Sequence, residues 1–236
     1  MKPASTVSLA GNWVITLTPQ TDPSSPVTYT GFLLQFGDEV TGSLILGDNC
    51  TGVGPVNGTI NGQGLDLDIN EFGQDLTLTG TLPSGPGQIV TGQFSTLPGV
   101  CTSNSTGTWS AIQVAPITGA FSGTLVSNEL NGTIDVAGSF TQGANTGASN
   151  ATLSATITTT GALPFCSYLS SGSITGVISG TSVSLFFFGP DGQQLNTVPT
   201  TGKVNQTGTS MTASYTFPST SKTCPGDFGT MSLSFP

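Results

Sequence analysis

Few residues of this chain could take part in chemistry. It contains three lysines and twelve acidic residues, with no arginine and no histidine. Histidine is the commonest general base and a common metal ligand, so its absence removes most routes to nucleophilic and metal-dependent catalysis. Residues 219–222, Ser-Thr-Ser-Lys, have the spacing of a lysine-activated serine, but the Ser-Asp-Asn and Lys-Thr-Gly partners of that arrangement do not occur. We therefore expect a protein that is not an enzyme and that uses no cofactor and no metal.

Acidic residues lie close together at two places. Asp38 and Glu39 are adjacent, and paired carboxylates could hydrolyse glycosides, but their position between two strand-like runs favours a turn. Asp66 and Asp68 alternate with leucines, which predicts a strand with an acidic outer face rather than a calcium loop. The net charge of −9 argues against nucleic acid or an anionic membrane as a partner.

The elements that must position these residues are strands. Apolar and polar residues alternate in short runs about every 8–12 residues, with Gly, Pro, Asn or Asp between them, which is typical of an all-β chain. In the first half we predict eight strands, over 12–19, 27–36, 39–46, 55–61, 64–72, 74–82, 88–96 and 106–114. In the second half we predict eight more, over 117–126, 132–142, 150–159, 171–179, 182–188, 195–205, 210–217 and 228–235.

The two halves repeat one plan. The run "GTINGQGLDLDI" is echoed by "GVISGTSVSLFF", and "GTWSAI" is echoed by "GTMSLS". Eight antiparallel strands of this length close naturally into an up-and-down barrel, which also removes exposed strand edges. The predicted fold class is therefore all-β, with two tandem eight-stranded barrels over 1–115 and 116–236 and one disulfide in each.

The four cysteines occupy matching places in the two units. Cys50 and Cys101 follow the third and seventh predicted strands, and Cys166 and Cys224 follow the corresponding strands of the second unit. These loops share one end of an up-and-down barrel, which predicts the bridges Cys50–Cys101 and Cys166–Cys224. Free buried thiols, a metal site and pairing between the units are the alternatives.

Disulfides indicate an oxidising, extracytoplasmic setting, either secreted or at the cell surface. No targeting signal is visible, so a lipid-anchored precursor trimmed before this point would look the same.

The run Gly11-Asn12-Trp13 resembles the start of a calycin barrel, the group of lipocalins, avidin-like proteins and their bacterial relatives. Gly107-Thr108-Trp109 is a second Gly-x-Trp, and the eight-strand count is the other point of similarity. Lipocalins stack an arginine or lysine of the last strand on the tryptophan, and the eighth strand of neither unit contains one. The paired layout looks more like secreted or lipid-anchored bacterial surface proteins of unknown function.

Three sets of residues follow from the predicted strands. The barrel floors are predicted to contain Trp13, Trp109, Phe121 and Met231. Inward-facing residues that could line a cavity are Phe32, Leu34, Phe36, Leu65 and Leu67. Phe186 and Phe188 are predicted to point outward and to need a cover. That cover could be the other barrel, a partner subunit or a local loop.

The expected function is that of a non-catalytic extracytoplasmic structural or interaction protein. One subclass is a self-assembling surface or filament subunit, whose first ten residues could pair with a neighbour's sheet. The alternative, implied by the calycin resemblance, is a carrier of a small apolar ligand. No run is long and apolar enough for a transmembrane helix, and three Tyr and two Trp are too few for the aromatic girdles of a membrane barrel.

Overall fold

The computed structural model describes residues 8–47, 52–71, 73–83, 89–98, 104–129, 131–143, 148–160, 171–218 and 226–236. These residues form sixteen strands. The first eight are β1 (Gly11–Pro19), β2 (Val27–Phe36), β3 (Glu39–Ile45), β4 (Val53–Asn61), β5 (Gly64–Glu71), β6 (Gln74–Thr81), β7 (Val90–Thr96) and β8 (Ser105–Val114). The others are β9 (Gly119–Ser127), β10 (Gly132–Gly143), β11 (Ala151–Thr160), β12 (Ser171–Ser179), β13 (Ser182–Phe188), β14 (Thr200–Val204), β15 (Ser210–Phe217) and β16 (Asp227–Ser234).

The strands form two closed barrels. β1 to β8 pair in chain order and β1 also pairs with β8, which closes barrel 1. β9 to β16 pair in the same way, and β16 returns to β9 in barrel 2. The prediction of two antiparallel eight-stranded barrels is confirmed. No described segment is a helix long and apolar enough to cross a membrane.

Two parts of the fold prediction stay predictions. Barrel 1 ends at Val114 and barrel 2 begins at Gly119, so the predicted boundary between residues 115 and 116 falls in the connection. The cysteines at 50, 101, 166 and 224 lie outside the described residues, and so do both predicted bridges.

The predicted strand bounds agree with the observed ones to within two residues, except for β14. That strand was predicted over 195–205 and spans Thr200–Val204. The side chain of Asn196 is the physical reason. Its Oδ1 accepts a hydrogen bond from the N–H of Phe187 at 2.8 Å, and its Nδ2 donates to the carbonyls of Leu185 at 3.0 Å and Val198 at 2.9 Å. The side chain of Asn196 thus makes hydrogen bonds that the backbone of a strand would otherwise make. The segment therefore forms a loop.

Trp109 fills the middle of barrel 1 because its neighbours on the next strands are glycines. A Cβ at Gly80 would lie 2.6 Å from Cζ2 of Trp109, and a Cβ at Gly92 would lie 2.6 Å from its Nε1. The indole N–H donates to the carbonyl of Thr79 at 2.9 Å. The ring is therefore buried with its one polar atom satisfied.

The floor of barrel 1, the end at which β1 begins, is closed by Leu9. This side chain is buried, and its N–H donates to Oε1 of Gln35 at 2.7 Å. The indole N–H of Trp13 donates to the carbonyl of Leu9 at 2.7 Å. Between them Gly11 has a φ of 142°, a conformation that favours glycine, and this turns the chain from the floor into the wall.

The floor of barrel 2, where β9 begins, is built in the same way. Ile117 is buried, and its N–H donates to Oε1 of Gln142 at 3.1 Å. Gly119 has a φ of 106°, and Phe121 follows where barrel 1 has its tryptophan. The Phe121 ring packs on Phe140, with ring centroids 5.1 Å apart. Each floor thus uses a buried aliphatic residue, a glycine, an aromatic ring and a glutamine from the next strand.

We expect Gln35→Ala and Gln142→Ala each to lower the free energy of unfolding by about 1–3 kcal/mol, because each leaves the partly buried N–H of a buried residue without its acceptor. Urea denaturation measures this. Gln93→Ala is the matched control, since Gln93 is exposed on β7, and it should change stability by less than about 0.5 kcal/mol. Equal effects of the three substitutions would show that the glutamines do not hold the floors.

Candidate functional site

Apolar side chains of the described residues pack inside barrel 1. A cavity among these side chains has a volume of about 10 Å³, roughly that of one water probe. Its lining is entirely apolar, and consists of Leu9, Trp13, Ile15, Leu33, Leu65, Leu67, Val90, Trp109 and Ala111. A water molecule there would have no hydrogen-bonding partner, and an organic ligand would have no room.

The residues predicted to line a cavity lie on the inner face of β5 and on the outer face of β2. Leu65 and Leu67 are buried and line the cavity. Phe32, Leu34 and Phe36 belong to the outer face of β2, and Phe36 is 67 % exposed.

The register explains the placement on β2. Trp13 faces the interior and pairs with Gly31, so the inward residues of β2 are Gly31 and the residues two positions to either side, Tyr29 and Leu33. The run Phe32-Leu33-Leu34 is apolar throughout and contains no alternation from which the inward face could be read. A one-residue slip in phase exchanges the two faces of a strand.

The four predicted floor residues are all buried, but they lie at two levels. Trp13 and Phe121 lie at the floor ends of β1 and β9. Trp13 pairs with Gln113 rather than with Trp109, and Trp109 pairs with Leu17, four residues farther along β1. Met231 pairs with Leu125 at the corresponding level of barrel 2. Trp109 and Met231 therefore lie in the middle of the barrels.

Phe186 and Phe188 are half-buried, while Phe187 between them faces the interior and is fully buried. Phe188 also forms a bridge with Gln194 in the loop after β13. The assignment of these two phenylalanines to an interface stays a prediction.

The floor residues Leu9 and Ile117 were not among those predicted from the sequence. The signal that could have found them is a repeated pattern, because "LAGNW" and "ITGAF" both place an aliphatic residue two positions before the Gly-x-aromatic motif. Both glutamines also occupy the same place, near the end of the strand that follows.

A polar cluster lies inside barrel 2 at the mouth, the end opposite the floor. Asp227 is 5 % exposed at the start of β16. Its Oδ1 accepts a hydrogen bond from Oγ of Ser127 at 2.6 Å, and its Oδ2 accepts one from the hydroxyl of Tyr215 at 2.8 Å. This cluster could not be predicted from the sequence, because Ser127 and Asp227 are 100 positions apart.

Burial raises the pKa of Tyr215 well above its usual range, and the hydrogen bond to Asp227 and the charge of that residue raise it further. Tyr215 therefore keeps its proton and donates it in the hydrogen bond to Asp227. The three side chains connect β9, β15 and β16 around one carboxylate.

An acidic groove lies on the outer face of barrel 1. It has a volume of about 330 Å³, is open to solvent, and is lined by Glu39, Val40, Thr41, Asn57, Gly58, Thr59, Asp66 and Asp68. Asp68 accepts a hydrogen bond from Oγ1 of Thr77 at 3.0 Å. Asp66 and Asp68 face solvent on β5, so the predicted acidic face is confirmed. Across the described ranges, no three His, Cys, Asp or Glu side chains are grouped so that they could hold a metal ion.

We expect the protein to lose stability as the pH rises above about 10, with a contribution from Tyr215 of up to about 1.4 kcal/mol per pH unit. The native state keeps the Tyr215 proton while the unfolded state releases it, so alkali favours unfolding. The Tyr215→Phe variant should lack this contribution. Urea denaturation at pH 8 and pH 11 measures it, and an identical alkaline loss in the variant would contradict the assignment.

No family model matches the chain, and no curated protein matches it. Among solved structures, it is similar to a crystal structure of a tryptophan-to-alanine mutant of the vaccine antigen Transferrin Binding Protein B from Haemophilus parasuis Hp5. The sequence identity is 9%, the TM-score is 0.24, and the match covers 90% of this chain and 61% of that chain. This chain thus spans less than two thirds of that protein, and the likeness assigns no function to it. The described strands themselves establish what the chain is in structural terms, namely two barrels in tandem, each closed by eight antiparallel strands.

Proposed function

We propose that the chain is a non-catalytic extracytoplasmic structural and interaction protein, which acts through the outer surfaces of its barrels. The observation that carries this proposal is the packing of described side chains inside barrel 1, where the cavity among them, of about 10 Å³, is too small for a ligand. The same observation argues against the alternative function in barrel 1, that of a carrier for a small apolar molecule.

The outer faces support a role in surface interaction. The outward residues of β11 are Thr152, Ser154, Thr156, Thr158 and Thr160, and all five are exposed. Those of β15 are Thr212, Ser214 and Thr216. Hydroxyl groups keep such a surface hydrated with few charges, and each offers a donor and an acceptor to a partner.

The absence of histidine from the sequence supports the non-catalytic part of the proposal. The hydroxyl groups nearest to a buried carboxylate are also already engaged. Ser127 and Tyr215 both donate to Asp227, and both are buried, so neither presents a nucleophile to an incoming substrate.

The finer proposal is self-association as a surface or filament subunit. Both barrels are closed, so neither offers an open strand edge to a neighbour's N-terminal segment, and Leu9 of that segment is buried in its own barrel. Contacts between copies would therefore use outer faces. Ile45 and Val53 are paired across β3 and β4 and are 39 % and 54 % exposed, which makes them a suitable apolar contact.

We expect the wild-type protein to form larger species as its concentration rises, and the double variant Ile45→Thr, Val53→Thr to remain monomeric, because the substitutions remove the apolar contact. Light scattering after size exclusion, together with negative-stain microscopy, measures this. Ile89→Thr is the matched control, since Ile89 is also 54 % exposed but lies outside this pair. Dispersed wild-type monomers at every concentration would contradict self-association.

The extracytoplasmic part of the proposal is tested by the cysteines. We expect the protein from its native source to take up no iodoacetamide before reduction and four equivalents after it, since the chain has four cysteines. Peptide mapping should then recover the pairs Cys50–Cys101 and Cys166–Cys224. Four reactive thiols before reduction would contradict an oxidising compartment.

A further inference from the structure

The interiors of the two barrels differ at the mouth. Met231 pairs with Ala213 in barrel 2, and Trp109 pairs with Gly92 at the corresponding place in barrel 1. The interior positions of the two barrels can therefore be matched one to one. Four inward positions at the mouth of barrel 2 carry polar side chains, Ser127, Thr200, Tyr215 and Asp227. The matched residues of barrel 1 are Pro19, Leu78, Phe94 and Ser105. Barrel 1 therefore closes with a much less polar set at the same place.

Asp227 has acceptor capacity that the described residues do not use. Each carboxylate oxygen accepts one hydroxyl hydrogen bond, whereas a carboxylate offers about four lone-pair positions. The described part of the chain supplies no cation to this carboxylate, because its one lysine, Lys203, is exposed on the outer face of β14. Within the described residues, this buried carboxylate thus has open acceptor positions and no counter-ion, which favours a positively charged ligand.

Thr200 provides a second and independent observation. It is 1 % exposed on the inner face of β14, and its hydroxyl has no hydrogen-bonding partner. Because Thr201 pairs with Ser214, Thr200 lies beside Tyr215 on the next strand. A buried hydroxyl without a partner is costly, and the leucine at the matched position of barrel 1 avoids that cost. Packing alone does not account for a threonine here.

Aromatic rings lie next to these polar groups. The centroids of Tyr215 and Phe217 are 4.9 Å apart, and those of Phe187 and Phe217 are 5.4 Å apart. Ring faces attract cations, and the combination with a carboxylate is well suited to an organic ammonium group.

We propose that the mouth of barrel 2 binds a small organic cation with a primary ammonium group and a short hydrocarbon chain. The ammonium donates to the open positions of Asp227 and to Oγ1 of Thr200, and the hydrocarbon contacts the rings of Tyr215 and Phe217. A carboxylate ligand is repelled by Asp227, and a neutral alcohol lacks the charge. This site goes beyond the proposed surface function, and either one can fail without the other.

The test is a calorimetric titration of the full chain with n-butylammonium, with n-butanol and butyrate as matched ligands of equal chain length. We expect saturable binding of the ammonium, with the alcohol and the carboxylate each weaker by roughly tenfold or more. No saturable binding of n-butylammonium, or equal binding of all three ligands, would overturn the proposal.

Variants locate the site. Asp227→Asn keeps the shape of the side chain and removes its charge, and should weaken ammonium binding by roughly tenfold or more. Asp135→Asn is the control, since Asp135 is exposed on the outer face of β10, and it should bind as the wild type does.

Thr200→Val has nearly the same size, leaves the Asp227 hydrogen bonds intact, and should weaken binding while the protein stays folded. If Asp227→Asn does not fold, as judged by circular dichroism, Thr200→Val decides. Wild-type affinity in whichever variant is folded would overturn the proposal.

Discussion

Closure of each barrel is the constraint on which the rest of the structure depends. A strand at the edge of a sheet presents unpaired N–H and C=O groups to other chains, and this chain has only three lysines and twelve acids with which to protect such edges. Pairing β1 with β8 and β9 with β16 removes the edges altogether. Closure also divides the side chains of every strand into an inner and an outer set. One choice of register therefore determines both the packed interior and the hydroxyl-covered exterior.

The two barrels meet this constraint with different interiors. In barrel 1 a tryptophan occupies the middle, with glycines on the neighbouring strands to make room for it. In barrel 2 a methionine takes that level, a group of phenylalanine rings packs at the floor, and a carboxylate with two hydroxyl donors lies at the mouth. Barrel 1 shows that an eight-stranded barrel of this kind closes with a largely apolar interior. The polar residues of barrel 2 are therefore not a requirement of the fold.

The strands could be predicted from the sequence because strict alternation specifies both their presence and, in most of them, their inner face. Prediction failed where alternation was missing or was overridden. Phe32-Leu33-Leu34 is apolar at every position, so only the pairing of Gly31 with Trp13 determines its phase. The early part of predicted β14 became a loop because one asparagine side chain took over the backbone hydrogen bonds. The mouth cluster joins Ser127 to Asp227, 100 positions apart, and nothing local in either segment indicates that contact.

The seam of barrel 1 has a consequence for how the protein folds. Gln113 donates to the carbonyl of Ala10 across 103 positions of the chain, and β1 finds its second partner only when β8 is present. Pairings this distant in sequence fold slowly. At a synthesis rate of about 5–20 residues per second, the first strand waits roughly 5–20 s for its partner while the growing sheet has open edges. Aggregation is therefore a greater danger to the nearly complete barrel than to the finished one, and a chaperone that shields strand edges would act in that interval.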